Sequence, residues 1–437
     1  MDEKKMDLSI EEYNPFEHRN VKKPNSDIRS LANLLKSSLG SGILAIPLAF
    51  ANAGWGVGIV GTIIIAFICG HCVHIFVVAS RECCKAVHKP LLGYAETCKT
   101  AFQIGPKPTR RLASAAESFA EFSLLFTYIG VCCIFTVLIA ESVKQLFDSY
   151  IPDVIWPVEY YCLVFLVPLC VMGQIRYLKW LAPFSLIANI LLITTFLICL
   201  YYIFKDDITI SDKLVVGHAE RFPAFLSTVI FAMEGIGVVM PVENTMKTPE
   251  HFLGCPSVLV VAMTFIMVMY GVLGLFGYFR YGDTLKGSIT LNLPLNDWPA
   301  ICAKGFIAVS IIFTYPLHFY VVIDILMKYM EPLVQKKYQN ILQIVVRIAV
   351  VCFCGGIGVA LPFLEQIINI VGALFYSILG LIIPGIVDTV LRWENLGRYK
   401  WILWKNILLV VFGIICLISG CTVTILDIIQ IMKQKTE

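Results

Sequence analysis

Charge is scarce in this chain. Asp, Glu, Lys and Arg make up 15% of its 437 residues, against roughly 25% in ordinary soluble domains. Apolar side chains reach 58%, against about 45–50% in those domains. So little polar surface cannot cover a soluble globule of this size, and the composition is that of a membrane protein. Basic blocks are missing too: the net charge is +3 at pH 7, spread over short loops where it faces anionic lipid, and no nucleic-acid partner is expected. Gly-x-Ser-x-Gly, His-Glu-x-x-His and phosphate-loop signatures do not occur, which removes the common hydrolase, zinc-peptidase and nucleotide-dependent enzyme classes. The chain is read as no enzyme, with no resident cofactor and no metal site. No Asn-x-Ser/Thr acceptor is present, so N-glycosylation is not expected. The first 28 residues hold no apolar run of signal-peptide type and are read as a disordered cytosolic tail, 1–28.

What is abundant is apolar sequence in long runs. A membrane-crossing helix needs about 20 mostly apolar residues. Eleven such stretches lie near 29–52, 56–80, 114–143, 154–172, 180–204, 222–242, 256–280, 299–327, 341–361, 365–390 and 401–431, so 29–437 is expected to be one all-α polytopic domain. Lys and Arg collect in the tail and in alternate loops near 81–112, 173–179, 243–255, 328–340 and 391–400. This bias predicts a cytoplasmic N-terminus. The sixteen cysteines fall mostly within the apolar runs or on that same side, where thiols stay reduced, so no disulfide framework is expected.

Two of the runs are interrupted in matching places. The first contains Gly40-Ser41-Gly42 and then Pro47; the sixth contains Glu234-Gly235-Ile236-Gly237 and then Pro241. Glycine and proline inside a membrane helix free backbone groups that lipid cannot satisfy. Paired interruptions at corresponding positions of two halves point to an inverted-repeat transporter with its solute site at mid-membrane. A half-helix starting near Ile43 presents free N–H groups and a partial positive charge, suited to a carboxylate. Opposing half-helix carbonyls suit an ammonium or a cation. Together they suit an amino acid zwitterion.

The same residues carry a family likeness. LLKSSLGSGILAIPLAFANAGW (34–55), FAMEGIGVVMPVENTMKTPEHF (231–252) and GSITLNLPL (287–295) resemble the proton-coupled amino acid transporters of the auxin/amino acid permease group, as do IIFTYPLHFYVVIDI (311–325) and VGALFYSILGLIIPGIVD (371–388). The resemblance implies a LeuT-type fold of 11 transmembrane helices: five plus five in inverted repeats, about 29–204 and 222–390, with broken helices one and six, and an extra helix about 401–431. It implies alternating-access transport of small neutral amino acids such as alanine, glycine and proline, across the plasma membrane or a lysosomal or endosomal membrane. The substrate carboxylate would meet the backbone at Ser41, Gly42 and Ile43. Phe231, Gly235, Gly237, Tyr128, Cys133, Thr314 and Tyr315 would complete the wall. Asn33 stands where family members often carry a histidine implicated in proton coupling. Asparagine does not titrate, so proton-coupled symport and uniport both stay open.

Ionisable groups within apolar runs are functional candidates by default. Glu234 at the sixth-run break is read as a coupling or gating acid, and His318 as a replacement titratable group. Lys36, one turn before the first break, either snorkels to the interface or closes an inner gate. Glu243 ends the sixth run as a solvated terminus, or as a gate or ion pair. A rival reading is an amino acid sensor with little transport, whose cytosolic signalling partners would dock on the N-terminal tail.

Overall fold

The computed structural model describes residues 13–19, 21, 24–38, 40–151, 156–176, 178–233 and 235–436. Helices α1 (Asp27–Ser38) and α2 (Ile46–Ala53) are followed by α3 (Trp55–Val87), α4 (Tyr94–Ile104) and the single turn α5 (Lys107–Arg110). Then come α6 (Ala113–Tyr150), α7 (Val158–Gly173), α8 (Leu178–Lys205), α9 (Phe222–Ala232) and α10 (Ile236–Asn244). The chain ends with α11 (Val258–Tyr281), α12 (Trp298–Met330), α13 (Gln339–Ala360), α14 (Leu364–Ile370), α15 (Ile383–Leu391) and α16 (Trp401–Thr436). Among the described residues, nine helical stretches are long and apolar enough to cross a membrane, ten when α1 and α2 count as one crossing bent by 44°. The run expected at 154–172 is a shorter apolar helix of 16 residues, α7.

These helices are apolar nearly all round, the pattern of segments that bury one face in protein and turn the other to lipid. Phe67 on α3, Val167 on α7, Ile193 on α8 and Leu408 on α16 are more than half exposed, while Phe50, Phe225, Tyr270, Tyr315 and Phe319 fill the common core. Helix α12 lies along α6 and α8, α11 along α3 and α2, and α16 along α9 and α15. At the face opposite the tail, Lys205 Nζ reaches Asp297 at 2.9 Å, tying the end of α8 to the start of α12. That hydrogen bond from Lys205, with a second from the Tyr202 hydroxyl, holds the Asp297 carboxyl below its usual range.

Both expected breaks exist, with one difference. Pro47 sits in the first turn of α2, where its missing N–H costs no hydrogen bond. Pro241 lies inside α10 without ending it. In the sixth run the described residues Met233 and Gly235 lie between α9 and α10. Between α14 and α15 the chain winds as π-helix over Val371–Tyr376 and Ile378–Ile382, a widening that no proline marks and that recurs at functional sites in other proteins.

The tail differs from its expected disorder. Residues 13–19 fold into a turn against the ends of α3 and α10, and Arg19 inserts between them. Its guanidinium holds the Glu243 carboxylate at 3.0 Å and donates to the carbonyls of Glu243 at 3.1 Å and Pro90 at 3.0 Å. Arg81 of α3 reaches the same carboxylate at 3.1 Å. The Phe16 ring lies within 4.9 Å of one guanidinium carbon and 5.1 Å of the other, close enough for cation–π attraction to both. Farther along, Asn25 N–H donates to the Thr245 carbonyl and Lys247 N–H to the Asn25 carbonyl, each at 2.8 Å. Asp27 accepts from Thr248 at 2.6 Å and meets His251 at 2.7 Å. The Glu243 side chain is 1% exposed, so Glu243 is no solvated helix end. A carboxylate buried that deeply is tolerated because two cations and their hydrogen bonds replace its water. Replacing Arg19 or Arg81 by Ala should each cost about 1.5 kcal/mol, because the other cation remains. The double variant should cost on the order of 4–5 kcal/mol, more than the sum of the two, because it strands the charge. Unfolding curves in detergent compare the three variants, and simple additivity would contradict the shared-charge reading.

Candidate functional site

The two breaks meet. A Cβ built on Gly42 would stand 2.9 Å from the Ala232 Cα, so the first-run turn Ser41–Ala45 rests directly on the last residue of α9, and only glycine permits that approach. One built on Gly235 would stand 3.3 Å from Ser38 Oγ. The crossing therefore gathers four half-helix ends: the C-termini of α1 and α9, and the N-termini of the turn leading into α2 and of α10. The first residues of each new half have no acceptor for their N–H groups within their own helix, and the last carbonyls of each old half have no donor. The former carry the positive end of the helix dipole and the latter the negative end.

One side chain answers both negative ends. Tyr270, on α11 and fully buried, shares its single hydroxyl proton between the Ser38 carbonyl that ends α1 and the Ala232 carbonyl that ends α9, the latter at 2.6 Å. Sequence reasoning missed it. A lone tyrosine in an apolar run signals that a buried hydroxyl needs an acceptor, but not which one.

The expected site residues fall into three groups. Gly42 and Ile43 lie at the crossing with Gly235 and Gly237; Ser41 opens the first-run turn there, and Glu234 lies outside the described residues. A Cβ on Gly237 would come within 2.6 Å of Tyr128 Oη, which places the α6 phenol over the start of α10. The Tyr128 ring in turn lies 5.8 Å from the ring of His318, which also meets Phe135 edge-on at 5.1 Å. Lys36 on α1 donates to Ser185 Oγ of α8. Asn33, one turn earlier, is half-buried.

A second group belongs to helix packing. Thr314 donates back to the Ser310 carbonyl at 2.8 Å, and Ser310 to the Ala188 carbonyl of α8 at 2.7 Å. Tyr315 stacks on Phe319 at 5.6 Å. Cys133 and its neighbour Cys132 are within hydrogen-bond reach of Cys354 on α13. The third group is the tail-side cluster at Glu243. On the same face Glu117 pairs with Lys99 at 2.7 Å, and Glu121 with Lys328 and Tyr329.

Phe231, the penultimate residue of α9, is buried and meets Tyr376 of the π-helical stretch edge-on at 5.9 Å. A cavity of about 20 Å³ beside them is lined by Ile230, Met233, Gly235 and Tyr376, room for one water molecule and not for an amino acid. At the face opposite the tail a cavity of about 450 Å³ opens between Glu141, Lys286, Leu291 and Glu365. Among the described residues no group of three or more His, Cys, Asp or Glu side chains is placed to hold a metal ion.

The family model for transmembrane amino acid transporter proteins matches residues 23–426. The proton-coupled amino acid transporter-like protein pathetic of Drosophila melanogaster is 37% identical over 424 residues, 97% of this chain and 89% of that protein. Amino acid transporter ANT1 of Arabidopsis thaliana is 28% identical over 302 residues, 67% of this chain and 65% of that protein. A solved nucleobase-cation-symport-1 family transporter, in a closed conformation with bromovinylhydantoin bound, aligns over 95% of this chain and 94% of its own at 13% identity and a TM-score of 0.46. With a family match over nearly its whole length and an all-helical, multi-pass architecture to carry it, the chain belongs to the transmembrane amino acid transporter family and is a membrane transporter, not an enzyme.

Proposed function

We propose that this chain is a secondary transporter of small neutral amino acids, of the alanine, glycine and proline type, working by alternating access around the crossing of its two broken helices. The observation that carries the reading is the approach of Gly42 to Ala232, which sets the positive end of the first-run turn against the negative end of α9, a few residues before the positive start of α10, in the middle of an apolar bundle. The N–H groups at Ser41, Gly42 and Ile43 would take the substrate carboxylate. Tyr270 takes one carbonyl from each negative end, and the last turn of an α-helix leaves up to four such carbonyls. The remaining ones would take the ammonium. Tyr128 and Phe231 flank this point with aromatic bulk, and Gly237 already touches Tyr128 with no side chain of its own. That crowding favours a substrate with a small side chain.

In the same reading the helices form two inverted repeats of five, about 29–204 and 222–390, with 401–431 added, and the N-terminus lies in the cytoplasm. His318, beside Tyr128, is the group we assign to proton coupling, since Asn33 cannot titrate. Uptake of labelled alanine by cells expressing the protein should saturate and be competed by glycine and proline, but not by lysine or glutamate. It should be several-fold faster at external pH 5.5 than at 7.5, and His318→Gln should flatten that difference. Indifference to pH in the parent protein would make it a uniporter, and no uptake of any amino acid would overturn transport itself.

A second test addresses the site. Gly237→Ala should cut uptake about tenfold or more, because its methyl collides with the Tyr128 hydroxyl. Adding Tyr128→Phe, which removes that oxygen, should restore part of the loss. Surface labelling checks that both variants reach the membrane, and a double variant no better than Gly237→Ala would argue against this contact.

A further inference from the structure

Ser38 and Ala232 are each the last residue of a helix, α1 and α9. Their carbonyls point at one oxygen, the hydroxyl of Tyr270, with Ala232 O at 2.6 Å. All three groups are within the core: Ser38 is 4%, Ala232 1% and Tyr270 0% exposed. Two helix C-termini brought together are two partial negative charges facing each other in a medium that screens them poorly. Such a point draws in a positive charge, and converging carbonyls at the ends of broken membrane helices are where cations are commonly held. Here one neutral phenol occupies it. The hydroxyl supplies a single proton to both oxygens, and the ring, carried on α11 and packed among apolar side chains, fills the space beside them. Lys36, the basic residue nearest in sequence to the end of α1, is engaged by Ser185 of α8 instead.

We infer that the Tyr270 hydroxyl stands in for a bound cation at the crossing of the two broken helices and closes that point to sodium and other small monovalent cations. Tyr270 is thus a specificity-determining residue: it fixes which ion this transporter does not use, whatever drives it elsewhere in the molecule. The inference rests on the transport reading above, and its consequences separate the phenol's proton from the ring's volume.

Alanine uptake by the parent protein should be equal when external sodium is replaced by choline. Tyr270→Phe keeps the ring, which leaves no room for an ion, but removes the proton that both carbonyls accept, so uptake should fall about tenfold in every salt. Tyr270→Ser opens a gap against the two carbonyls. Its uptake should be low in choline and rise at least about fivefold in sodium or lithium, as a cation enters where the phenol was. A Tyr270→Ser protein that reaches the membrane and transports equally in sodium, lithium, potassium and choline would overturn the inference, and so would sodium-dependent uptake by the parent protein. If the serine variant does not reach the membrane, or the parent transports nothing, the melting temperature of the purified parent protein decides. Equal values in sodium chloride and choline chloride at one ionic strength support the closed crossing, and a sodium-specific rise overturns it. Failure of the transport reading alone would leave those melting temperatures equal.

Discussion

Everything in this fold answers to one constraint: a backbone N–H or C=O that meets lipid without a partner costs several kcal/mol. A continuous helix meets the constraint by itself. Two broken helices cannot, and the rest of the molecule is arranged around the groups they release. The Tyr270 proton takes one carbonyl from each break, and the crossing of Gly42 on Ala232 buries both turns within protein. Around them α11, α6 and the π-helical stretch close the space, with Tyr128 over α10 and Tyr376 against Phe231. In the reading proposed above, the positive ends at Ser41–Ile43 and Gly235–Gly237 are the ones a substrate carboxylate would satisfy.

The same constraint accounts for the tail-side end. Glu243 closes α10 inside the protein, and a buried carboxylate is no more tolerable there than an orphaned carbonyl at mid-membrane. Arg19 and Arg81 converge on it from the tail and from α3, and Phe16 shields both guanidiniums on one flank. Both places use one device: a single group with two partners fastens elements far apart in sequence.

How much of this could be read from the amino acids follows from whether the signal is local. The breaks were legible because Gly40-Ser41-Gly42 and Gly235-Ile236-Gly237 state a backbone requirement in the residues that have it. The long helices were legible from apolar length. Pro241 misled because it falls inside α10, where proline removes one backbone hydrogen bond without ending the helix. Tyr270 was silent: its acceptors lie 232 and 38 residues away in sequence, and nothing in VMYGVLG names them. The packing of residues 13–19 was hidden for the same reason, since YNPFEHR reads as solvated chain until Glu243 is seen to need Arg19. Thr314 and Tyr315 carried chemistry in their residue types, yet their partners are the neighbouring turns of α12 and the packing against α6 and α13.

The pairing of half-helices shows where a movement must pass. On the tail side α1 packs along α10, bound also through Asn25 and Asp27. On the opposite side α2 packs along α9, with Gly42 against Ala232. The centre of the molecule is therefore two crossed pairs, α1 with α10 and α2 with α9, rather than two whole helices. Tyr270 receives Ser38 from the first pair and Ala232 from the second, so its hydroxyl lies on the seam between them. In the alternating-access reading proposed above, opening the tail side would draw α1 and α10 away from α2 and α9 and separate the two carbonyls that share that proton. The Glu243 cluster must yield in the same step or travel with the pair, because Arg81 anchors it to α3, which belongs to neither pair. In the same reading, the Glu243 cluster ties the end of α10 to α3 and the Tyr270 hydroxyl ties α1 to α9, so these are the contacts that a rocking of the half-helices about the site would have to carry or break.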